Sequence, residues 1–233
     1  KRDKSSDVIW ALSKLMKDVG VQIHLKCNIE KIEVVPETVI IKDKNGNKYS
    51  GDKCIIATGG LSYPSTGSTG DGYNFAKKMG HTIEETYPSL VPFNIKEEYC
   101  KSLQGLSLKN VNLKIIDENE KVYYSEQGEM LFTHFGISGP LVLSASSYLS
   151  DKLKSHFFVA FIDLKPALDC ETLDRRILKD FQENINKNFN NSLEKLFPKK
   201  MIPIIIELSG INPYKKVHEI TKEERERLVN VIK

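Results

Sequence analysis

The chain has only four cysteines, Cys27, Cys54, Cys100 and Cys170, and no two of them form a C-x-x-C pair, so neither a zinc knuckle nor a disulfide framework is implied. A reducing cytoplasm is the expected compartment. His24, His81, His156 and His218 are scattered and suggest no metal site. Long apolar runs are also missing. Met201-Ile202-Pro203-Ile204-Ile205-Ile206 is followed at once by Glu207, whereas a spanning helix needs roughly 20 residues, so no membrane span is expected. Nor is there a block of one charge: 34 Lys and Arg are interleaved with 31 Asp and Glu for a net +3, which makes no case for nucleic acid. The start, Lys1-Arg2-Asp3-Lys4-Ser5-Ser6, leads into amphipathic patterning and not into an export signal. It also lacks an initiating Met, so the chain reads as a piece of something longer.

What the chain does have is glycine concentrated in one place. Between Thr58 and Tyr73 lie five of its 14 Gly, with three Ser and three Thr, directly after the aliphatic run Cys54-Ile55-Ile56-Ala57. That run reads as a buried parallel strand, and ligands in open α/β sheets bind beyond the carboxyl ends of such strands. Glycine lets a bulky ligand approach the main chain, while Ser and Thr offer short hydroxyls. From Asp71 the pattern Tyr73, Phe75-Ala76, Met79 predicts a helix ending at Gly80, with Asp71 as its cap. The loop therefore joins a strand to a helix N-terminus, where free N–H groups and the helix dipole favour phosphate.

Around this element the pattern predicts a first helix from Asp7, capped by Ser5 or Ser6, closed by Gly20 and carrying Trp10 into a core. Strands follow at Val21–Leu25, Ile29–Val34 and Thr38–Lys42, and Asn45-Gly46 turns the chain into Lys48-Tyr49-Ser50 as an antiparallel meander. Pro88 and Pro92 punctuate the sequence, and period-two stretches at Val111–Ile116 and Lys121–Tyr124 begin beyond them. We place a domain boundary there, giving 1–91 and 92–233. The second part continues with an apolar helix through Val142, Leu143 and Leu149 and a strand from His156 to Asp163. Helices are expected over Leu173–Phe189, Ser192–Leu196 and Lys200–Leu208, and a last one is capped by Thr221 and Glu224. The fold class is α/β plus α+β.

The Ala57-Thr58-Gly59-Gly60 element resembles the second fingerprint of two-dinucleotide-binding flavoproteins. Its continuation narrows the resemblance, through Leu61-Ser62-Tyr63-Pro64-x-Thr66-Gly67-Ser68-Thr69-Gly70-Asp71-Gly72-Tyr73, Gly80-His81 and Pro88-x-Leu90-Val91-Pro92. So do Leu131-Phe132-Thr133-His134-Phe135-Gly136-Ile137-Ser138-Gly139-Pro140 and the opening Asp3-Lys4-Ser5-Ser6-Asp7-Val8-Ile9. Together they are similar to the bacterial BaiN-like flavoproteins, also called aminoacetone oxidase family FAD-binding enzymes or NAD(P)/FAD-dependent oxidoreductases. The resemblance implies a FAD-binding Rossmann-like domain interrupted by an insert of a β-barrel-like unit and helices. It implies a FAD-dependent oxidoreductase acting on a small molecule by hydride transfer, with NAD(P)H left open as electron donor. The family's first βαβ unit, with its G-x-G-x-x-G pyrophosphate site, is absent from this sequence, so the 233 residues correspond to the central part of the enzyme. FAD is accordingly expected in the intact parent, and weakly or not at all on these residues alone.

On that resemblance the cofactor contacts are Ile29, Ala57, Thr58, Gly59, Gly60, Ser62, Tyr63, Pro64, Thr66, Gly67, Thr69, Gly70, Asp71 and Gly72. Ile29 is equally readable as core, and the loop as a mere flexible linker. His134 is the candidate for a substrate-facing acid or hydrogen-bond donor, since imidazole titrates near neutral pH, and Ser138 lies close to it in sequence. A histidine that simply caps the turn is the other reading. Tyr63 either lines the flavin face or packs with its hydroxyl satisfied. From a different class, an insert that binds RNA rests only on the pairs Lys199-Lys200 and Lys215-Lys216.

Overall fold

The computed structural model describes residues 4–149, 151–153 and 156–233; the opening Lys1, Arg2 and Asp3 lie outside the described residues. The chain divides into two compact units between Glu85 and Thr86.

In the first unit, α1 spans Ser5–Asp18. Ser5 and Ser6 sit inside it and not before it: the cap is Lys4, which makes no side-chain hydrogen bond to the helix. At the other end Gly20 adopts φ +78, its N–H reaching Lys17 O while Val21 N–H reaches Met16 O. This paired closure is why a glycine stands there. The meander forms as expected, with β1 (Ile29–Val35), β2 (Thr38–Asp43) and β3 (Lys48–Gly51) antiparallel in that order. Buried Asp43 organises its second turn, accepting from Asn45 N–H at 2.9 Å, Asn47 N–H at 2.8 Å and the Asn47 amide at 2.9 Å. A short carboxylate that satisfies turn N–H groups replaces the water they would otherwise need.

Two expected strands are absent. Val21–Leu25 and Cys54–Ala57 carry no ladder, and Ile55 is 89% exposed. Alternating or aliphatic residues make a strand only when a neighbour supplies hydrogen bonds, and no described segment pairs with either one. Trp10 likewise belongs to no core: it is 67% exposed on a helix whose apolar stripe stays open.

The second unit is built on a five-stranded antiparallel sheet in the order β4-β7-β6-β5-β8. Its spine is the long hairpin of β5 (Ser107–Asp117) and β6 (Val122–Phe132). Asp117 turns it as Asp43 turns the meander, accepting from Asn119 and Lys121 N–H at 2.9 and 3.0 Å. β8 (Phe158–Asp163) pairs with β5, β7 (Gly136–Ser138) with β6, and the two-residue β4 (Phe93–Asn94) with β7. A short helix, α3 (Tyr99–Ser102), precedes the hairpin, following α2 of the first unit (Asp71–Lys78). Val111, Leu113 and Ile115 alternate inward from β5, and α4 (Pro140–Leu149) lays Leu141, Val142, Ala145 and Leu149 into the same core. Gly128 makes room for that helix, since a Cβ there would stand 3.2 Å from the Leu141 side chain.

The remaining helices are α5 (Cys170–Glu183), α6 (Ile202–Ser209) and α7 (Lys222–Ile232). They bury Leu173, Ile177, Phe189, Leu193, Leu228 and Ile232 between them. α5 stops well short of Phe189 because the Asn184 side chain bonds back to Asp180 O at 2.7 Å, offering the backbone an alternative to another helical turn. Ser192–Leu196 forms turns and no helix, with Ser192 Oγ donating to Phe189 O.

α7 carries the expected capping box. Glu224 N–H donates to Thr221 Oγ1, and the Glu224 carboxylate accepts from Thr221 N–H at 2.8 Å. The same carboxylate takes both its oxygens to Lys215 Nζ at 2.9 and 2.7 Å, and this pairing holds its pKa below the usual carboxylate range. A folded-state pKa lowered beneath the unfolded value of about 4.3 contributes stability that is complete above that value and is lost as pH falls through it toward the folded value. Glu224→Gln is therefore expected to flatten the acid side of the stability profile between about pH 5 and 3, read as urea midpoints across that range.

Candidate cofactor and substrate site

The glycine-rich loop of the first unit is folded onto itself. Gly70 N–H donates to Gly60 O at 3.0 Å and ties its two ends together. Between them Tyr63 takes a left-handed conformation (φ +56), Pro64–Thr66 makes one 3-10 turn, and Thr66 caps it from both its N–H and its hydroxyl onto Tyr63 O. These bonds give the segment a defined backbone path.

The glycines stand where the two limbs of the loop press together. A Cβ on Gly59 (φ +72) would lie 2.6 Å from Ser68 Oγ, on Gly70 (φ +82) 2.7 Å from Leu61 Cδ2, and on Gly72 2.7 Å from Thr58 Oγ1. Gly60 faces the Tyr73 hydroxyl in the same way, at 3.1 Å. Ser68 and Tyr73 are parts of this lock that residue-type reasoning passed over; their signal is the small-residue spacing opposite Gly59 and Gly60. The helix cap needs a correction. Gly70 occupies the cap position with positive φ, and Asp71 is the first residue of α2, where its charge faces the positive end of the helix dipole. Gly70 alone fits because a left-handed cap strains any residue with a Cβ.

The outer face of the loop is open. Ala57, Thr58, Gly59, Ser62, Pro64, Thr66, Gly67, Thr69 and Asp71 are exposed, as is Tyr63 at 79%, while Gly60 and Gly72 are half-buried. The Tyr63 hydroxyl makes no hydrogen bond among the described residues, so the packed-tyrosine reading finds no support in its surroundings. Ile29 begins β1, half-buried opposite Asp43, and no hydrogen bond joins it to the loop among the described residues. What the open face presents is backbone and short hydroxyls, with no group of acidic, Cys or His side chains able to hold a metal ion among the described residues. Such a donor set fits a dinucleotide better than a metal, because N–H groups and hydroxyls bond phosphate and ribityl oxygens without needing fixed charge.

In the second unit His134 and Ser138 lie at the β6–β7 turn. The turn is closed by Thr133: its hydroxyl accepts from Gly136 N–H at 3.1 Å, and its N–H reaches Gly136 O at 2.8 Å. His134 is therefore not the capping group. It is exposed, stacked edge-on against Phe135 at 4.9 Å, and its ring nitrogens have no hydrogen bond among the described residues. Ser138 is half-buried in β7, paired with Leu131.

Residues 1–145 match the model of the HI0933-like protein Rossmann domain, and residues 87–233 match that of the HI0933-like protein barrel and H2TH domain. The chain belongs to the HI0933-like family. These are the BaiN-like, FAD-binding flavoproteins that the loop motifs resemble, and the five-stranded sheet with its helices is the family's barrel and helical part. Over 236 residues it is 26% identical to a 3-dehydro-bile acid delta(4,6)-reductase of Clostridium scindens, covering 99% of this chain and 56% of that protein. It is 32% identical over 230 residues to a ribosomal RNA dihydrouridine synthase of Escherichia coli, covering 99% of this chain and 54% of that protein. With the protein of the same name from Haemophilus influenzae it shares 30% over 233 residues, 98% of this chain and 54% of that one. The chain thus spans about half the length of the curated relatives it matches. No helix among the described residues is long and apolar enough to cross a membrane.

Proposed function

We propose that this HI0933-like chain is part of a FAD-dependent oxidoreductase that saturates a carbon–carbon double bond conjugated to a carbonyl. The observation that carries the reading is the self-locked Gly59–Gly72 loop, whose exposed outer side of backbone and short hydroxyls supports a place for the flavin dinucleotide there. The relatives' names narrow the reaction: a delta(4,6)-reductase of a 3-dehydro compound and a synthase of dihydrouridine both describe loss of a ring double bond beside a carbonyl. Such a reduction needs a hydride at one carbon and a proton at the other, and the hydride is what bound flavin would supply once NAD(P)H had reduced it.

The proton is this chain's share. Ala57, Thr58, Gly59, Gly60, Gly67, Thr69, Gly70 and Gly72 would hold the cofactor by backbone approach, with Ser62, Thr66 and Asp71 adding polar contacts and Tyr63 and Pro64 lining the ring. Ile29 would meet the adenine end. His134, with no hydrogen-bonded partner among the described residues, would deliver a proton from its imidazole to the carbon next to the carbonyl, and Ser138 would help orient the substrate. NAD(P)H as the electron source and a cytoplasmic setting belong to the same proposal, as does the division of labour between cofactor residues 1–91 and insert 92–233.

The ribosomal RNA reading rests on two relatives' names. The lysines that first suggested it are engaged: Lys215 with Glu224, Lys200 with Gln104 O at 2.5 Å, Lys216 with Asn186 O at 3.1 Å, and Lys199 facing Glu194 at 3.8 Å. We therefore favour a small molecule. The test is anaerobic turnover by the intact flavin-loaded protein with NADH or NADPH, offering a 3-oxo-4,6-diene steroid acid and an unmodified ribosomal RNA transcript. Reduction of the small conjugated ketone is expected, and His134→Ala should lower kcat by roughly 100-fold with flavin content unchanged. An intact protein that holds no flavin would sink the reading as a whole. Turnover of the transcript alone would move the substrate to RNA, and an unaffected His134→Ala would remove the proton donor.

A further inference from the structure

Among the described residues the sheet of the second unit does not close. Its edge strands β4 and β8 lie at opposite ends of the strand order, and a cavity of about 460 Å³ is bounded by both. That volume corresponds to about fifteen water molecules in the liquid. Water is a poor occupant, because the floor is Ile115, Phe132, Ile137, Phe158, Ala160 and Ile162, and water in a cavity needs polar partners. The alternation of β8 creates the space: Phe158, Ala160 and Ile162 point inward, and the smallest of the three stands in the middle. Cys100 and Tyr99 add two uncharged polar atoms, since burial, reinforced by the charge of Glu97, pushes both the thiol and the phenol up.

The mouth is chemically different from the floor. Lys96 is exposed there with its ammonium 4.5 Å from the centre of the Phe157 ring, and no carboxylate pairs with it among the described residues. Glu97 stands on the same rim, also exposed.

From an apolar interior of this size under an unpaired cation, we infer that the half-open barrel is a binding site for an aliphatic carboxylate, with the chain inside and the carboxylate at Lys96. Ligand pockets of about 300 to 1,000 Å³ with a few polar groups fixing orientation are the usual form of such sites. The inference does not depend on the flavin reading, since every wall belongs to the second unit. The ligand's carbon chain replaces the water that Ile115 and Ile162 cannot hydrogen-bond, and Lys96 sets its direction. Glu97 weakens the site by repulsion.

The experiment is calorimetric titration of the full chain with dodecanoate, with dodecanol and dodecyltrimethylammonium as comparisons. One saturable site is expected for dodecanoate, with the trimethylammonium compound bound at least about tenfold more weakly. Ala160→Trp fills the cavity and should weaken dodecanoate by at least about tenfold. Lys96→Ala, on the surface and harmless to folding, should weaken it about fivefold and leave dodecanol unchanged, whereas Glu97→Gln should strengthen it. No saturable binding, or wild-type affinity in a folded Ala160→Trp, would overturn the site. If Ala160→Trp does not fold, unchanged affinity in both Lys96→Ala and Glu97→Gln overturns the carboxylate assignment.

Discussion

Gly136→Ala is expected to lower the stability of the second unit by about 3 to 5 kcal/mol, the range reserved for clashes and strain that cannot relax. A Cβ at this position would lie 2.2 Å from Phe93 O and 2.7 Å from Ile95 N, both backbone atoms of the adjacent segment. Neither can rotate away, so β4 must leave β7, breaking the Phe93–Ile137 and Asn94–Gly136 pairs. The same movement removes one wall of the barrel cavity. Gly105→Ala is the informative comparison, since Gly105 also has positive φ (+82) but open space around its Cβ position, and should cost only about 1 kcal/mol. Urea unfolding of the intact protein followed by far-UV circular dichroism separates the two. Equal midpoints for the two variants would show that the β4–β7 contact carries no weight.

Gly59→Val is expected to weaken flavin binding in the intact protein by about 100-fold while leaving the second unit's stability untouched, if the proposed cofactor wall is right. Valine at φ +72 is sterically disfavoured, and its Cβ would meet Ser68 Oγ at 2.6 Å. Relieving that contact moves Ser68 and disturbs the packing of the two limbs of the loop. Gly67→Ala makes the contrast: Gly67 has φ +96 but nothing within 4 Å of its Cβ position, so backbone strain enters without a clash, and a loss below about tenfold is expected. Flavin fluorescence titration of the stripped protein measures both. Stoichiometric flavin in Gly59→Val would mean that the cofactor lies elsewhere.

Several elements were legible before any coordinates because their causes are local. The meander needs only β-branched residues and an Asn45-Gly46 turn, α7 needs only Thr221 and Glu224 at capping-box spacing, and the glycines after α1 and α2 need only positive φ. The loop motif named the family for the same reason, since its residues act largely on one another: Gly59 on Ser68, Gly72 on Thr58, Gly70 on Gly60. Its cap was misread because Asp71 is a good capping residue by type, whereas the chain's reversal required a left-handed residue one position earlier.

Other features were invisible because they depend on distant partners. Cys54–Ala57 has strand composition and no ladder; Trp10 has a core residue's chemistry and no core. Lys215 meets Glu224, and Lys200 and Lys216 meet the Gln104 and Asn186 carbonyls, partners that no local pattern announces. The sequence by itself determined which segments can be strand, helix or glycine lock, and with them the HI0933-like family, because propensity, capping and positive φ are properties of a few neighbouring residues. Only the tertiary structure decided that Thr133, and not His134, closes the β6–β7 turn, and that β4 and β8 leave an apolar chamber around Ala160. Those outcomes turn on which atoms meet across strands far apart in the chain.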